Sequence, residues 1–346
     1  MVTKKIAVLT GGGDCPGLNA VIRAIVRKSL GNSYEVLGLL DGWQGLLEKR
    51  YKKLDYPSVS GILHIGGTIL GTSRTNLLKD EGTIQLAFQR FKELDLHGLI
   101  AIGGEGTLSV SAKMFERGLN VIGVPKTIDN DISETDYTFG FDTAVQIATE
   151  AIDRLHTTAE SHKRAMVVEV MGRHAGWIAA HAGIAGGADA IVIPEFPMSI
   201  EEICQIIERR RERGKLYSII VVAEGAKLSK DGTLLSIHKN RTDDFGRHQL
   251  GGIGQALADQ IEKATGIEVR VTVLGHIQRG GTPTAHDRVL ATRFGTKAVE
   301  LAHQEKWGYM PALKGSEIVE VPLALAVKKL KTVPQSFWDF VHEFSG

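Results

Sequence analysis

Short apolar runs followed within a few residues by glycine or an acid are the strongest constraint this chain places on its fold. Ile6-Ala-Val-Leu9, Leu99-Ile-Ala-Ile102, Val121-Ile-Gly-Val124, Met166-Val-Val-Glu-Val170, Ala190-Ile-Val-Ile193 and Ile219-Ile-Val-Val-Ala223 are strand-length and show little polar alternation. Such runs read as parallel strands buried on both faces. Val36-Leu-Gly-Leu-Leu40 and Val269-Arg-Val-Thr-Val-Leu274 join the set. Helical periodicity fills the gaps. After Gly17, residues Leu18, Val21, Ile22, Ile25 and Val26 repeat on one face, Asp142 is placed to cap a long helix through Thr158, and Ser199-Ile-Glu-Glu202 spells a capping box for a helix ending near Arg213-Gly214. The plan restarts near Met166, so the chain reads as α/β with two Rossmann-like lobes, largely parallel sheets and a cleft at the strands' carboxyl ends.

With 346 residues, the chain exceeds one ordinary core. Its 41 Lys plus Arg against 40 Asp plus Glu exclude a polyanion-wrapping surface, so no nucleic-acid partner is expected. Cys15 and Cys204 are the only cysteines, which rules out a disulfide framework and a paired-cysteine zinc cluster and suits a reducing cytoplasm. No apolar run reaches membrane length, and no signal-peptide core precedes the first strand, so a soluble cytoplasmic protein with no membrane partner is expected.

The chemistry is concentrated where strands end. Thr10-Gly-Gly-Gly-Asp-Cys-Pro-Gly17 and Gly103-Gly-Glu-Gly-Thr107 each join a strand to a helix. Glycines there let backbone N–H groups approach an anion at the positive end of the helix dipole, although glycine loops also serve as plain tight connections. Neither loop is followed by Gly-Lys-Ser/Thr, and neither keeps the dinucleotide pattern Gly-x-Gly-x-x-Gly with its later acid. Gly66 to Asn76 is rich in glycine and hydroxyls around Arg74, which either meets phosphate or is solvated. Trp43 either stacks a purine or packs beside a sheet. Glu105 can ligate Mg²⁺ directly or through water. In Val121-Ile-Gly-Val-Pro-Lys-Thr-Ile-Asp-Asn-Asp131 a buried strand opens onto carboxylates that can accept a hydroxyl proton or hold a metal, beside Lys126, which can face an anion. The same residues also make ordinary turns.

Gly12-Gly-Asp14 with Pro16-Gly-Leu-Asn19, Gly71-Thr-Ser-Arg74, Gly103-Gly-Glu-Gly-Thr107, Lys126-Thr-Ile-Asp-Asn-Asp131, Met171-Gly-Arg173 and Gly275-His-Ile-Gln-Arg-Gly-Gly281 resemble, in order and over essentially the whole chain, the 6-phosphofructokinase family. The resemblance implies phosphoryl transfer to the 1-hydroxyl of fructose 6-phosphate, and the fold of that family. It implies a donor lobe over residues 1–140 and 277–326 and a sugar-phosphate lobe over 141–276 and 327–346. Asp129 is then the base, with Thr127 and Asp131 shaping its pocket, Gly13 giving an N–H to the transferred group, and Arg74 and Arg173 neutralising its charge. Gly13, Trp43, Arg74, Thr75, Gly104, Glu105, Gly106 and Thr107 would meet ATP, and Glu105 would serve Mg²⁺. It replaces the Asp of many relatives, which favours a water-mediated contact. Thr127, Ile128, Asp129, Met171, Gly172, Arg173, Glu224, His276, Ile277, Gln278 and Arg279 would meet the sugar phosphate, with Arg164 and Arg270 arriving from a neighbouring subunit. A homo-oligomer, a dimer of dimers, follows.

Two positions bear on the donor. In this family a second acid at the place of Gly106 accompanies pyrophosphate use, so glycine leaves room for ATP; Lys126 is the residue of pyrophosphate users. The steric term carries more weight, since a flexible lysine can swing toward solvent or another phosphate oxygen. The combination resembles ATP-dependent members that otherwise look like pyrophosphate enzymes. The rivals are a reversible pyrophosphate-dependent enzyme and a catalytically silent regulator on the same fold. Arg23, Arg27, Arg213 and Lys215 retain part of the family's effector pocket, while Tyr56, His156 and Leu216 stand where further cations are usual. Losing charge-assisted bonds of ~1.5–3 kcal/mol each predicts little control by ADP or phosphoenolpyruvate. Cys15 and Met198 read as structural and Lys328-Lys-Leu-Lys331 as a solvated face.

Overall fold

The computed structural model describes residues 4–230, 233–234 and 251–345. The chain divides into two units: the first runs to Thr143 and resumes over Arg279–Leu330, and the second takes Ala144–Gln278 and the stretch from Lys331 on.

In the first unit β1 (Lys5–Gly11), β2 (Glu35–Leu39), β3 (Tyr51–Leu54), β4 (Gly98–Gly103) and β5 (Val121–Pro125) make one sheet in the order β3-β2-β1-β4-β5. Four strands are parallel, and β3 runs antiparallel at the edge. The two kinds differ as their sequences do. β4 and β5 are buried throughout, whereas β3 exposes Tyr51, Lys52 and Lys53, an edge that lysines protect from further pairing. The helices α1 (Leu18–Gly31), α2 (Trp43–Glu48), α3 (Glu81–Glu93) and α4 (Glu105–Glu116) follow, and a core of Leu9, Leu39, Leu99, Val121, Ile84 and Met114 forms beneath the sheet. After β1 the chain goes to β2 on one side and returns in β4 on the other, so the carboxyl ends of β1 and β4 form a topological switch point. Register completes the arrangement: Gly11 pairs with Gly103, and Gly103 with Pro125. Three motif loops therefore leave the sheet from one row.

α5 (Phe141–His162) carries the chain from the first unit into the second. Asp142 is not its cap but lies in its first turn, and the carboxylate accepts the Thr284 hydroxyl at 2.5 Å. The helix runs one turn beyond Thr158. In the second unit β6 (Ala165–Val170), β7 (Ala190–Val192), β9 (Ser218–Ala223) and β12 (Val269–Val273) form an all-parallel sheet in the order β12-β6-β9-β7. A small ribbon joins β8 (Met198–Ser199), β10 (Leu228–Lys230) and β11 (Thr233–Leu234). α6 (Trp177–Ala185), α7 (Ile200–Glu212) and α8 (Ile253–Thr265) complete the unit, and the apolar sides of α7 and α8 meet Val167, Ile220 and Val222 in its core. α7 starts with the capping box expected at Ser199 and Glu202.

The first unit resumes with α9 (Ala285–His303), which packs on α1, the antiparallel hairpin of β13 (Tyr309–Lys314) and β14 (Glu317–Pro322), and the short α10 (Leu323–Ala326). Leu108, Ile132, Met310, Val321 and Leu323 form a second core there. The terminal α11 (Gln335–Phe344) belongs to the second unit. Among the described residues no helix is long and apolar enough to cross a membrane.

Two glycines of one motif should respond oppositely to alanine. At Gly103 a Cβ would lie 2.3 Å from Thr107 Cβ, whereas at Gly106, within α4, it would meet nothing within 4 Å. Gly103→Ala is expected to cost ~1–3 kcal/mol by overpacking. Gly106→Ala should be neutral or gain up to ~1 kcal/mol of helix propensity. Urea unfolding of the two variants checks this, and equal losses would contradict the packing around Thr107.

Candidate active site

The loop after β1 is held by its neighbours through the backbone. Gly12, at φ 79°, donates to the Ser73 carbonyl at 3.1 Å, and the Thr72 hydroxyl donates to the Gly12 carbonyl at 2.7 Å. Thr10 donates to the Gly71 carbonyl and Ser73 to that of Asp41, both at 2.6 Å. The segment Gly71 to Thr75 is thus laid along the glycine loop, and Arg74 within it is exposed. Thr75 has its hydroxyl 3.0 Å from that of Ser73.

Gly13 is enclosed by two cations. A Cβ on it would lie 2.6 Å from Arg279 Nη1, and its carbonyl accepts a hydrogen bond from Lys126 Nζ. Lys126 is only 3 % exposed, which corrects the expectation of a lysine free to swing toward solvent. Burial holds its ammonium below the usual lysine value; the Arg279 guanidinium adds to the fall, and Asp14 and Asp129 oppose it. Arg279, expected among the sugar-phosphate contacts, is by the same geometry a neighbour of the glycine loop. Cys15 is structural as expected: its thiol is buried, pushed up to about 12 by desolvation, and donates to the Pro16 and Phe139 carbonyls.

After β5, the Thr127 hydroxyl accepts the Asp129 N–H at 3.0 Å, and the Thr138 hydroxyl donates to the Thr127 carbonyl at 2.8 Å. Asn130 has φ 50° and is buried, and its Oδ1 accepts the Thr138 N–H at 3.1 Å. The amide braces the loop, Ile128 anchors it in the interior, and Asp129 and Asp131 lie half-buried. Glu105, half-buried in the first turn of α4 next to the N-cap Gly104, accepts the Ser109 hydroxyl at 2.9 Å. No cluster of three or more His, Cys, Asp or Glu suited to a metal occurs among the described residues. A single carboxylate is nevertheless what Mg²⁺ takes when phosphate oxygens and waters supply its other ligands, so Glu105 fits that ion.

Two donor-side expectations become packing. Trp43 is 3 % exposed in the core of the first unit, where its indole has no open face for a base. Thr107 is buried, with its side chain over Gly11 and Gly103; a Cβ on either would come within 2.6 Å of Thr107 Oγ1.

In the second unit Met171, Gly172, Arg173, Glu224, His276, Ile277 and Gln278 follow the carboxyl ends of β6, β9 and β12. Val170 pairs with Ala223, and Glu169 with Val273, so the three exits again start side by side. Gly172 has φ 140° and its carbonyl accepts the Gly225 N–H at 3.0 Å; a Cβ at Gly225 would lie 2.0 Å from the Arg173 carbonyl oxygen. The turn carrying Met171 and Arg173 is therefore pressed onto the one carrying Glu224. Gln278 is fully buried and braces this arrangement: its Oε1 accepts the Met171 N–H at 3.4 Å and its Nε2 donates to the Gly275 carbonyl at 3.1 Å. His276 and Ile277 are exposed beside it. Arg164 and Arg270 converge on one carboxylate, Arg164 Nε lying 2.6 Å from Glu268 Oε2 and Arg270 bonding Oε1. At the expected effector positions the Arg27 guanidinium lies over the Tyr56 ring at 5.4 Å, and His156 Nε2 is 2.6 Å from the Gly186 carbonyl.

A family model described as phosphofructokinase matches residues 5–302. The chain belongs to the phosphofructokinase family. Within it, the chain is 56 % identical to a pyrophosphate–fructose 6-phosphate 1-phosphotransferase of Amycolatopsis methanolica, over 99 % of this chain and 100 % of that one. It is 53 % identical to ATP-dependent 6-phosphofructokinase 2 of Streptomyces coelicolor, over 97 % and 98 %. The solved phosphofructokinase of Pichia pastoris superposes with a TM-score of 0.83 at 33 % identity over 94 % of this chain, which spans about a third, 36 %, of the yeast chain. Both donor classes thus stand among the chain's relatives at similar identity.

The buried Lys126 leads to a pH test. Its native pKa is depressed, so between that value and the ordinary lysine value of 10.5 the unfolded chain holds a proton that the native state has released. Stability from this group therefore rises with pH across that window. In denaturant unfolding on the alkaline side of neutrality, Lys126→Met should show a flatter rise than the unsubstituted protein. Identical profiles would contradict a desolvated ammonium.

Proposed function

We propose that the chain transfers the terminal phosphoryl group of ATP to the 1-hydroxyl of fructose 6-phosphate, giving fructose 1,6-bisphosphate and ADP in the cytoplasm, as a glycolytic step. The carrying observation is the common row of Gly11, Gly103 and Pro125, from which two glycine-rich loops and an acid-bearing loop emerge together. Phosphoryl transfer needs donor phosphates, neutralising charge and a proton acceptor in one place, and little covalent chemistry.

In this reading the first unit handles the donor and the second holds the sugar phosphate. Asp129 accepts the proton of the 1-hydroxyl as its oxygen bonds to phosphorus and the bond to the ADP oxygen breaks. Thr127, bonded to the Asp129 N–H, fixes the carboxylate's backbone. The Gly13 N–H and the Arg74 and Arg173 guanidinium groups take the charge of the transferred group. Glu105 is the residue that would hold Mg²⁺. That ion, when bound, supplies neutralisation of phosphate charge. Met171, Arg173, Glu224 and His276 recognise the sugar phosphate. Arg164 and Arg270, already brought together on Glu268, serve a neighbouring copy in a homo-oligomer, a dimer of dimers.

For the donor, the exposed Gly106 leaves open the space that an acid would occupy, which supports ATP. The pyrophosphate reading draws on Lys126 and on relatives such as that of A. methanolica. Against it, the Lys126 ammonium is buried and engaged by the Gly13 carbonyl. At the effector positions Tyr56 occupies the face of Arg27, which supports weak control by phosphate-bearing effectors.

Asp129→Asn should lower kcat by ~10²–10⁴-fold, the usual size of a lost general base. Fructose 6-phosphate binding, measured independently by calorimetry, should survive because the arginines remain. A near-normal kcat would remove Asp129 from its role.

A further inference from the structure

The turn that carries Met171, Gly172 and Arg173 ends at Gly176, the residue preceding α6. The Gly176 N–H lies 3.0 Å from each oxygen of Glu195. A Cβ at Gly176 would lie 2.3 Å from Ile193 Cβ, so the end of the turn is pressed against the segment that follows β7. Glu195 Oε1 also accepts the Val333 N–H at 2.9 Å, and Val333 is buried. One carboxylate therefore ties the substrate turn to the C-terminal segment.

The attachment continues along that segment. Trp177 Nε1 donates to the Lys331 carbonyl at 3.1 Å, and the Lys331 ammonium lies 5.5 Å from the indole centroid. Phe337 packs on Trp177 and His181, and Trp338 stacks on Phe196 with ring centroids 5.1 Å apart and planes 9° from parallel. The wall that receives the tail, Gly176–Trp177 and Glu195–Phe196, is also the wall that ends the substrate turn. Two acceptor oxygens suit a site where the Gly176 and Val333 N–H groups converge.

We propose that Glu195 is a positioning residue through which the C-terminal segment holds Met171–Gly176 in its sugar-phosphate-binding geometry. The inference rests on reading Met171–Arg173 as sugar-phosphate contacts. Glu195 touches no substrate in this account; it acts through the turn. An amide in its place keeps the shape but turns an NH₂ group toward the Gly176 N–H. Loosening the tail at Trp338 should reach the same turn from the other side.

The test uses full-length Glu195→Gln and, separately, Trp338→Leu, each shown folded by thermal melting. Two readouts are taken: amide hydrogen exchange of residues 171–177 without substrate, and steady-state KM for each substrate. Exchange of the turn should rise ~10-fold in both variants, the equivalent of about 1.4 kcal/mol. The KM for fructose 6-phosphate should rise by a similar ~10-fold factor, and kcat should fall with it because Arg173 also takes the charge of the transferred group. The donor KM should stay within about twofold, a split between the two substrates that general destabilisation would not give. The double variant should add little to either single one, because both act on one connection. Unchanged exchange in Glu195→Gln overturns the proposal. Faster exchange with an unchanged sugar KM also overturns it, and Arg173→Ala then separates the causes. If Arg173→Ala raises the sugar KM, the brace alone is wrong; if it does not, the assignment of the turn to sugar phosphate has failed as well.

Discussion

The bond from the buried Lys126 ammonium to the Gly13 carbonyl is the contact on which the first unit's site depends. An ammonium taken out of water is costly unless bonded and balanced. Here the carbonyl receives it, and Asp14 and Asp129 supply the opposing charge. The bond fixes one end of the Gly13 peptide while Arg279 presses on its Cα side, so the loop is closed in place. The row that makes this reachable is Gly11, Gly103 and Pro125, one residue before Lys126. A side chain at Gly11 or Gly103 would collide with Thr107 and push that row apart.

The second unit solves the same problem with an amide, backbone groups and carboxylates. Its three strand exits are joined by the Gln278 amide, by backbone bonds from Glu224 and Gly225, and by Glu195 at the far end of the turn. Glu169 adds to this pattern: it is buried within β6 and accepts the N–H of Gly254 at 2.8 Å. Among the supports, Lys126, Asn130 and Gln278 are buried, whereas the presented Arg74 and His276 are exposed. The distinction matters because a site residue and its support have the same motif membership but different jobs.

This explains what the sequence disclosed and what it withheld. The parallel strands, α7 with its cap, and the glycine loops were legible because buried strands and capping boxes have local signatures. β3 was not, since Tyr51-Lys-Lys-Leu54 has one apolar inward residue and reads as a polar connection. The β13–β14 hairpin escaped for a related reason: it packs on α9, and its strand β14 is half-buried and carries Glu317 and Glu320. Within the motifs, pattern marked the right segments but could not divide presentation from support. Trp43, Thr107, Gln278 and the freedom of Lys126 were all decided by packing against residues distant in sequence. Glu195 carried one usable signal, an acid directly after the apolar run Ala190 to Ile193 and its proline, but its partner Val333 lies 138 positions away.

The central claim is that the open position at Gly106, rather than the occupied Lys126, decides the donor. Its direct measurement is the initial rate of fructose 1,6-bisphosphate formation by the unsubstituted protein, with Mg²⁺, under matched saturating ATP and pyrophosphate. The account predicts turnover with ATP exceeding that with pyrophosphate by at least ~10-fold, about 1.4 kcal/mol of preference. Turnover with pyrophosphate and none with ATP would contradict it, and would place the donor choice at Lys126.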